Sequence, residues 1–113
     1  MSVLETFKQL KAEGKKIVVV TSYEYWSAKI LNDTDVDGIL IGDDLSMVIH
    51  GNENTMNCDV ETIAMHTRAV KKGAKDKFLI AAMPFMSNRK GFKEAMDNVE
   101  ILMKAGANAL KIE

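Results

Sequence analysis

Four short aliphatic runs recur along this chain, at residues 17–21, 38–41, 78–82 and 109–112, and the segments between them carry helical spacing. Within each run apolar residues occupy successive positions instead of alternate ones. That is the pattern of strands covered on both faces, as in parallel sheets. Alternation of strand and helix implies right-handed crossovers, which leaves a (β/α) barrel or a doubly wound open sheet. TSYEYWSAK follows the first run where a dinucleotide-binding open sheet would carry a glycine-rich turn, so the expectation tilts toward the barrel.

The helices announce themselves at their ends. Ser2 with Glu5 fits a capping box, Val3, Phe7 and Leu10 share a face, and Gly14 follows as a stop signal, so a helix precedes the first strand. Ser22 is placed to cap a second helix reaching about Leu31. Asp59 is placed to cap a third, with Val60, Ile63, Thr67 and Val70 on one side and Gly73 ending it. A fourth is expected from about Lys90 to Lys104, with Phe92, Met96, Val99 and Met103 as its inner stripe. No repeat, low-complexity tract or linker divides the chain, so a single unit of residues 1–113 is expected.

Composition excludes several classes of function. Apolar residues at 47% and charged residues at 27% belong to a folded chain rather than a disordered one. Fifteen basic and sixteen acidic residues are well mixed, so no sustained positive field exists for nucleic acid or an anionic membrane. The longest apolar runs fall far short of a bilayer span, and a single cysteine, Cys58, has no internal disulfide partner. A cytoplasmic protein without nucleic-acid or membrane partners is the expectation.

In either architecture the chemistry belongs at the carboxyl ends of the strands. Those ends carry Thr21 and Ser22, then Gly42, Asp43 and Asp44, then Ala82, Met83 and Pro84, then Lys111 and Glu113. Asp43 and Asp44 are adjacent carboxylates from which a hard cation such as Mg²⁺ can be gripped, although acidic residues also open ordinary turns. Lys111 and Glu113 lie two apart and share a face, as a structural ion pair or as an ammonium and a carboxylate facing a bound anion and metal. Residues 44–57 are long and irregular enough to suggest a loop that covers a site. His50, His66 and Cys58 match no zinc spacing, and Cys58, although just before a helix start, has no evident partner base.

Taken together and in order, TSYEYWSAKI, IGDDLSMVIHG, HTRAVKKGA, AAMPFMS and AGANALKIE resemble the ketopantoate hydroxymethyltransferase family, from about Leu10 to Glu113. The resemblance implies the amino-terminal half of a (β/α)₈ barrel, with four parallel strands behind a preceding helix. It implies transfer of a hydroxymethyl group from 5,10-methylenetetrahydrofolate to 3-methyl-2-oxobutanoate, giving 2-dehydropantoate for pantothenate synthesis. Mg²⁺ would be the metal, a small 2-oxo acid and a folate the ligands, and a homo-oligomer the assembly. Matched by motif, Asp43 falls on the family's metal-binding aspartate, Asp44 on a serine beside the keto acid, and Lys111 on a lysine near the substrate carboxylate. Glu113 falls on an acidic residue beside the metal. Asp43 and Glu113 are therefore expected at the metal, Asp43, Asp44 and Lys111 at the substrate, and Lys111 and Glu113 in catalysis.

Two departures stand out. Ala82 occupies the place of a second metal-binding aspartate, and GNENTMNCD replaces a segment rich in Thr, Leu and Pro. A complete barrel needs roughly 250 residues, and the family's general base lies on a later segment, so a portion of a longer protein or a two-fold pairing of half barrels is expected. A phosphoenolpyruvate mutase or isocitrate lyase type of enzyme on another 2-oxo acid, and a half barrel kept for binding or assembly, are the alternatives.

Overall fold

The computed structural model describes residues 2–113. Its elements run α1 (Val3–Ala12), β1 (Val19–Thr21), α2 (Tyr25–Asn32), β2 (Gly38–Ile41), α3 (Leu45–Val48), α4 (Val60–Gly73), β3 (Phe78–Ala82), α5 (Phe92–Ala105) and β4 (Ala109–Lys111). All strand pairs are parallel, and the four strands lie side by side in the order β1-β2-β3-β4. That strictly sequential order decides between the two architectures left open by the sequence. A doubly wound sheet reverses its strand order part-way, whereas a barrel adds each strand beside the last. The chain is a four-strand sector of such a barrel.

Register shows which side of the sheet holds the core. Ile39 and Leu79 are neighbours across the strands, as are Ile41, Ala81 and Leu110, and this set packs under the helices. Ile63, Thr67 and Val70 of α4 and Leu102 of α5 close the layer from above. Each fully buried aliphatic side chain there contributes roughly 1.5–3 kcal/mol. The buried Thr67 hydroxyl donates to the Ile63 carbonyl at 2.7 Å, so no polar group is stranded in that layer. The opposite face is only half covered. Val19 is 42% exposed, and Leu40, Ile80 and Ala109 are intermediate, so the expectation of strands covered on both faces holds for one face alone. This inner face closes only at the strands' amino ends, where Phe7 of α1 meets Phe78 edge-on with ring centroids 4.7 Å apart.

Helix ends follow local chemistry with instructive exceptions. Ser2 and Glu5 form the reciprocal capping box, and the Asp59 carboxylate accepts from the Thr62 amide at 2.8 Å and from its hydroxyl at 2.7 Å. Ser22 caps nothing. Its amide continues the β1–β2 ladder by donating to the Leu40 carbonyl, its hydroxyl pairs with that of Ser27 at 2.6 Å, and α2 starts after Glu24 instead. Gly73 does not end its helix by turning left-handed either. It is the last residue of α4, and a Cβ there would lie 2.6 Å from the Tyr25 carbonyl oxygen and 2.9 Å from the Lys29 amide, so glycine lets α4 press onto α2.

Of the inner stripe expected for α5, Val99 packs against the core, whereas Phe92, Met96 and Met103 do not. Phe92 is 82% exposed, and Met96 and Met103 also face outward, whereas Leu102 and Ala105 are buried and Ala95 and Val99 partly so. Two apolar stripes run along this helix, and the one containing alanines lets it approach the sheet more closely. Within the 44–57 segment, α3 makes one helical turn with Leu45 and Ser46 buried, and the Ser46 hydroxyl donates to the Asn54 carbonyl at 3.0 Å. No helix among the described residues is long and apolar enough to cross a membrane.

Candidate active site

The carboxyl ends of β2, β3 and β4 converge on an open cleft of about 440 Å³, whose walls include Asp43, Met83, Pro84, Arg89 and Glu113. Asp43 follows β2 by way of Gly42, and Glu113 follows β4 by one intervening residue, so two strands separated by β3 present carboxylates to one space. Ala82 sits between them and pairs in register with Lys111. The Lys111 ammonium donates to the Glu113 carboxylate, as the spacing of two along a strand allows. That bond, and then the charge of Glu113, raise the Lys111 pKa, and the nearby charges of Asp43 and Asp44 add smaller contributions.

Asp44 is held differently from its neighbour. Tyr23, in the turn after β1, donates its phenol to Asp44 Oδ2 at 2.9 Å, while the other carboxylate oxygen folds over Gly42 so closely that a Cβ on that glycine would meet it at 2.5 Å. Burial pushes the Tyr23 phenol up, and the hydrogen bond to Asp44 and its charge push it further. Asp44 is thus directed toward β1 rather than toward the space left by the small side chain of Ala82. Among the described residues no three His, Cys, Asp or Glu side chains come together as a metal cluster.

A second cleft of about 390 Å³ adjoins the first and shares the wall formed by Pro84, Phe85 and Met86; Cys58 and Asp59 lie on its far side. Burial, with the charges of Asp43 and Asp59, pushes the Cys58 thiol up to about 11, so it stays protonated and unreactive at neutral pH. His50 and His66 meet through their Nε2 atoms at 3.1 Å, and His66 Nδ1 lies 2.5 Å from the Tyr23 carbonyl oxygen. This contact fastens the segment after α3 to α4.

Asp43, Lys111 and Glu113, singled out in the sequence, are therefore brought together, and Asp44 lies beside them on the Tyr23 phenol. Tyr23 and Arg89 were missed. Tyr23 follows the first strand within TSYEY, a strand-end position that merited the scrutiny given to Asp43. Arg89 lies five residues beyond the expected strand end at Pro84, where spacing alone gives no reason to turn it back toward the cleft.

Comparison with known proteins agrees with this architecture. A sequence model of the family described as ketopantoate hydroxymethyltransferase matches residues 2–113. The chain belongs to that family. It is 49% identical over 107 residues to a 3-methyl-2-oxobutanoate hydroxymethyltransferase of Coxiella burnetii, covering 95% of this chain and 40% of that protein. A protein of the same name from Bdellovibrio bacteriovorus is 46% identical over 113 residues, covering 100% of this chain and 43% of the relative. The chain thus spans about 40% of the length of the curated relatives it matches. A crystal structure of 2,3-dimethylmalate lyase, a member of the PEP mutase/isocitrate lyase superfamily, superposes with a TM-score of 0.72 at 14% identity over 99% of this chain and 39% of that one. At that identity the likeness establishes a shared fold only.

Proposed function

We propose that this chain supplies the acidic, metal-facing part of an active site that transfers a hydroxymethyl group from 5,10-methylenetetrahydrofolate to 3-methyl-2-oxobutanoate, giving 2-dehydropantoate. One observation carries the reading: in a chain of the hydroxymethyltransferase family, Asp43 and Glu113 follow two different strands and wall a single cleft, with Lys111 paired to Glu113.

The donor set fits Mg²⁺ in its usual mode of binding. That ion keeps several waters and takes one or two protein carboxylates plus substrate oxygens, so a three-residue cage is not required. Asp43 and Glu113 would hold it. When bound, it would supply Lewis-acid polarisation of the 2-oxo acid, lowering the cost of removing a proton beside the carbonyl. The remaining roles belong to the chain's own groups. Lys111 keeps Glu113 oriented and offsets the charge of the neighbouring aspartates. Tyr23 fixes Asp44 at the rim of the site, and the apolar wall of Met83 and Pro84 keeps water away from one side of the cleft.

Hydrogen–deuterium exchange at carbon three of 3-methyl-2-oxobutanoate tests this reading without the folate. The full-length protein in deuterium oxide should exchange that position when Mg²⁺ is present, and Asp43→Asn should abolish the exchange. No exchange with Mg²⁺ present would overturn the assignment. Preferential exchange of a different small 2-oxo acid would reassign the substrate and keep the site.

A further inference from the structure

Two histidines outside the acidic cleft present ring nitrogens to one another. His50 lies just after α3 and His66 on α4, 16 residues apart, so no sequence spacing announces the pair, yet their Nε2 atoms stand 3.1 Å apart. Only one hydrogen fits between two nitrogens at that distance, so at least one lone pair points into the gap. The other nitrogen of His66, Nδ1, lies 2.5 Å from the Tyr23 carbonyl oxygen, which can only accept, so Nδ1 is the donor. That bond fixes the ring and directs Nε2 at His50. Metal-binding histidines are oriented in the same way, by a carbonyl or carboxylate on the nitrogen that does not touch the ion.

Both rings stand on backbone that is already held. The buried Ile63, Thr67 and Val70 anchor α4 beneath His66. The His50 amide donates to the Leu45 carbonyl at 3.2 Å, the Asn52 amide donates to the Ser46 carbonyl at 2.9 Å, and the Ser46 hydroxyl donates to the Asn54 carbonyl. Two metal–imidazole bonds of about 2.0–2.1 Å span the 3.1 Å between the nitrogens at an angle of about 95–102°, between the octahedral and tetrahedral values. The ring planes are 79° apart with centroids at 5.3 Å, so the nitrogens face each other nearly head-on. A modest swing of the exposed His50 ring brings both lone pairs onto one ion.

We propose that His50 and His66 bind a divalent transition ion of the Zn²⁺ class, at a site separate from the carboxylates of Asp43 and Glu113. Two imidazoles select such an ion over Mg²⁺, which takes oxygen ligands, and water completes the coordination on the exposed side. The site goes beyond the proposed function and does not depend on it. Its position nevertheless gives it a consequence there. Thr55, in the same segment as His50, lines the acidic cleft, so an ion held by both histidines ties that part of the wall to α4.

Calorimetric titration of the full-length protein with Zn²⁺, with Mg²⁺ saturating to occupy the acidic cleft, tests this in wild type, His50→Ala, His66→Asn and Asp43→Asn. Asparagine at position 66 keeps a side-chain donor near the place of Nδ1 for the Tyr23 carbonyl and removes the ligand nitrogen. Zn²⁺ binding should survive in Asp43→Asn and weaken by about tenfold or more in both histidine variants, since even the outer partners of metal ligands are worth that much. With Cu²⁺ as the probe, electron paramagnetic resonance should show coupling to two imidazole nitrogens in wild type and to one fewer in His50→Ala. Zn²⁺ should also slow hydrogen exchange of the amides of residues 49–57 in wild type and leave it unchanged in His50→Ala. Equal Zn²⁺ affinity in wild type and His50→Ala, or a Cu²⁺ spectrum without nitrogen coupling, would overturn the proposal. Zn²⁺ binding lost in Asp43→Asn and kept in the histidine variants would put the ion in the acidic cleft and overturn it equally.

Discussion

Replacing Tyr23 with Phe removes one oxygen and, with it, the donor that fixes Asp44 from the β1 side at 2.9 Å. A hydrogen bond to a charged group contributes about 1.5–3 kcal/mol when its partner is left without a substitute. Asp44 is only partly buried, so water can replace some of the loss, and the expected cost falls to about 1–2 kcal/mol. Asp44→Asn keeps the shape and reduces the bond to a neutral one, and the double variant gives the coupling, expected at about 1 kcal/mol. Urea unfolding at neutral pH measures all three. For a full barrel of roughly 250 residues each kcal/mol also moves Tm by about 2–4 °C. The alkaline limb offers a second check, because the folded-state pKa of Tyr23 is raised above its ordinary 10.0. Its contribution is therefore present below that ordinary value and lost as pH rises through the folded value, so Tyr23→Phe should flatten the loss of stability above about pH 10. A coupling below about 0.3 kcal/mol, the level at which unconnected sites add, would refute the claim that Tyr23 holds Asp44.

Other outcomes follow from the same geometry. Gly73→Ala drives a methyl into the Tyr25 carbonyl and the Lys29 amide, and should cost about 1–3 kcal/mol in denaturant unfolding through overpacking, although alanine favours helices. With its pKa raised to about 11, Cys58 should react with a disulfide reagent far more slowly at pH 8 than a free thiol, and faster by roughly tenfold per unit as pH climbs toward that value. Fast labelling at pH 8 in the native state would contradict its burial. Ala82→Asp places a carboxylate beside Lys111 in register and should raise Mg²⁺ affinity by roughly tenfold, about 1.4 kcal/mol, read by calorimetry.

Much of this was legible in the residues, and the failures share a cause. The four aliphatic runs, the capping box at Ser2 and the Asp59 cap are local signals, and the folded chain uses each of them. Ser22 looked like a cap because its type is right, but its amide belongs to the ladder with Leu40, a partner 18 residues away in sequence. The outward turn of Phe92, Met96 and Met103 was hidden for a similar reason. Two apolar stripes fit α5, and only the close approach to the sheet, which favours Ala105 over bulky side chains, selects between them. Strand-end positions pointed to Asp43 and Glu113, which wall one cleft, and to Lys111, which pairs with Glu113, since register delivers them directly. Arg89 reaches the cleft only through a turn that depends on a left-handed methionine and a buried serine, and no periodicity signals that.

The central claim is that Asp43 and Glu113 hold a divalent ion which in turn holds a small 2-oxo acid. Calorimetric titration of the full-length protein with 3-methyl-2-oxobutanoate, with Mg²⁺ and again after chelation, addresses it most directly. Saturable binding that needs Mg²⁺ and disappears in both Asp43→Asn and Glu113→Gln is the predicted result. Binding of equal strength in the chelated protein, or in either variant, would contradict it.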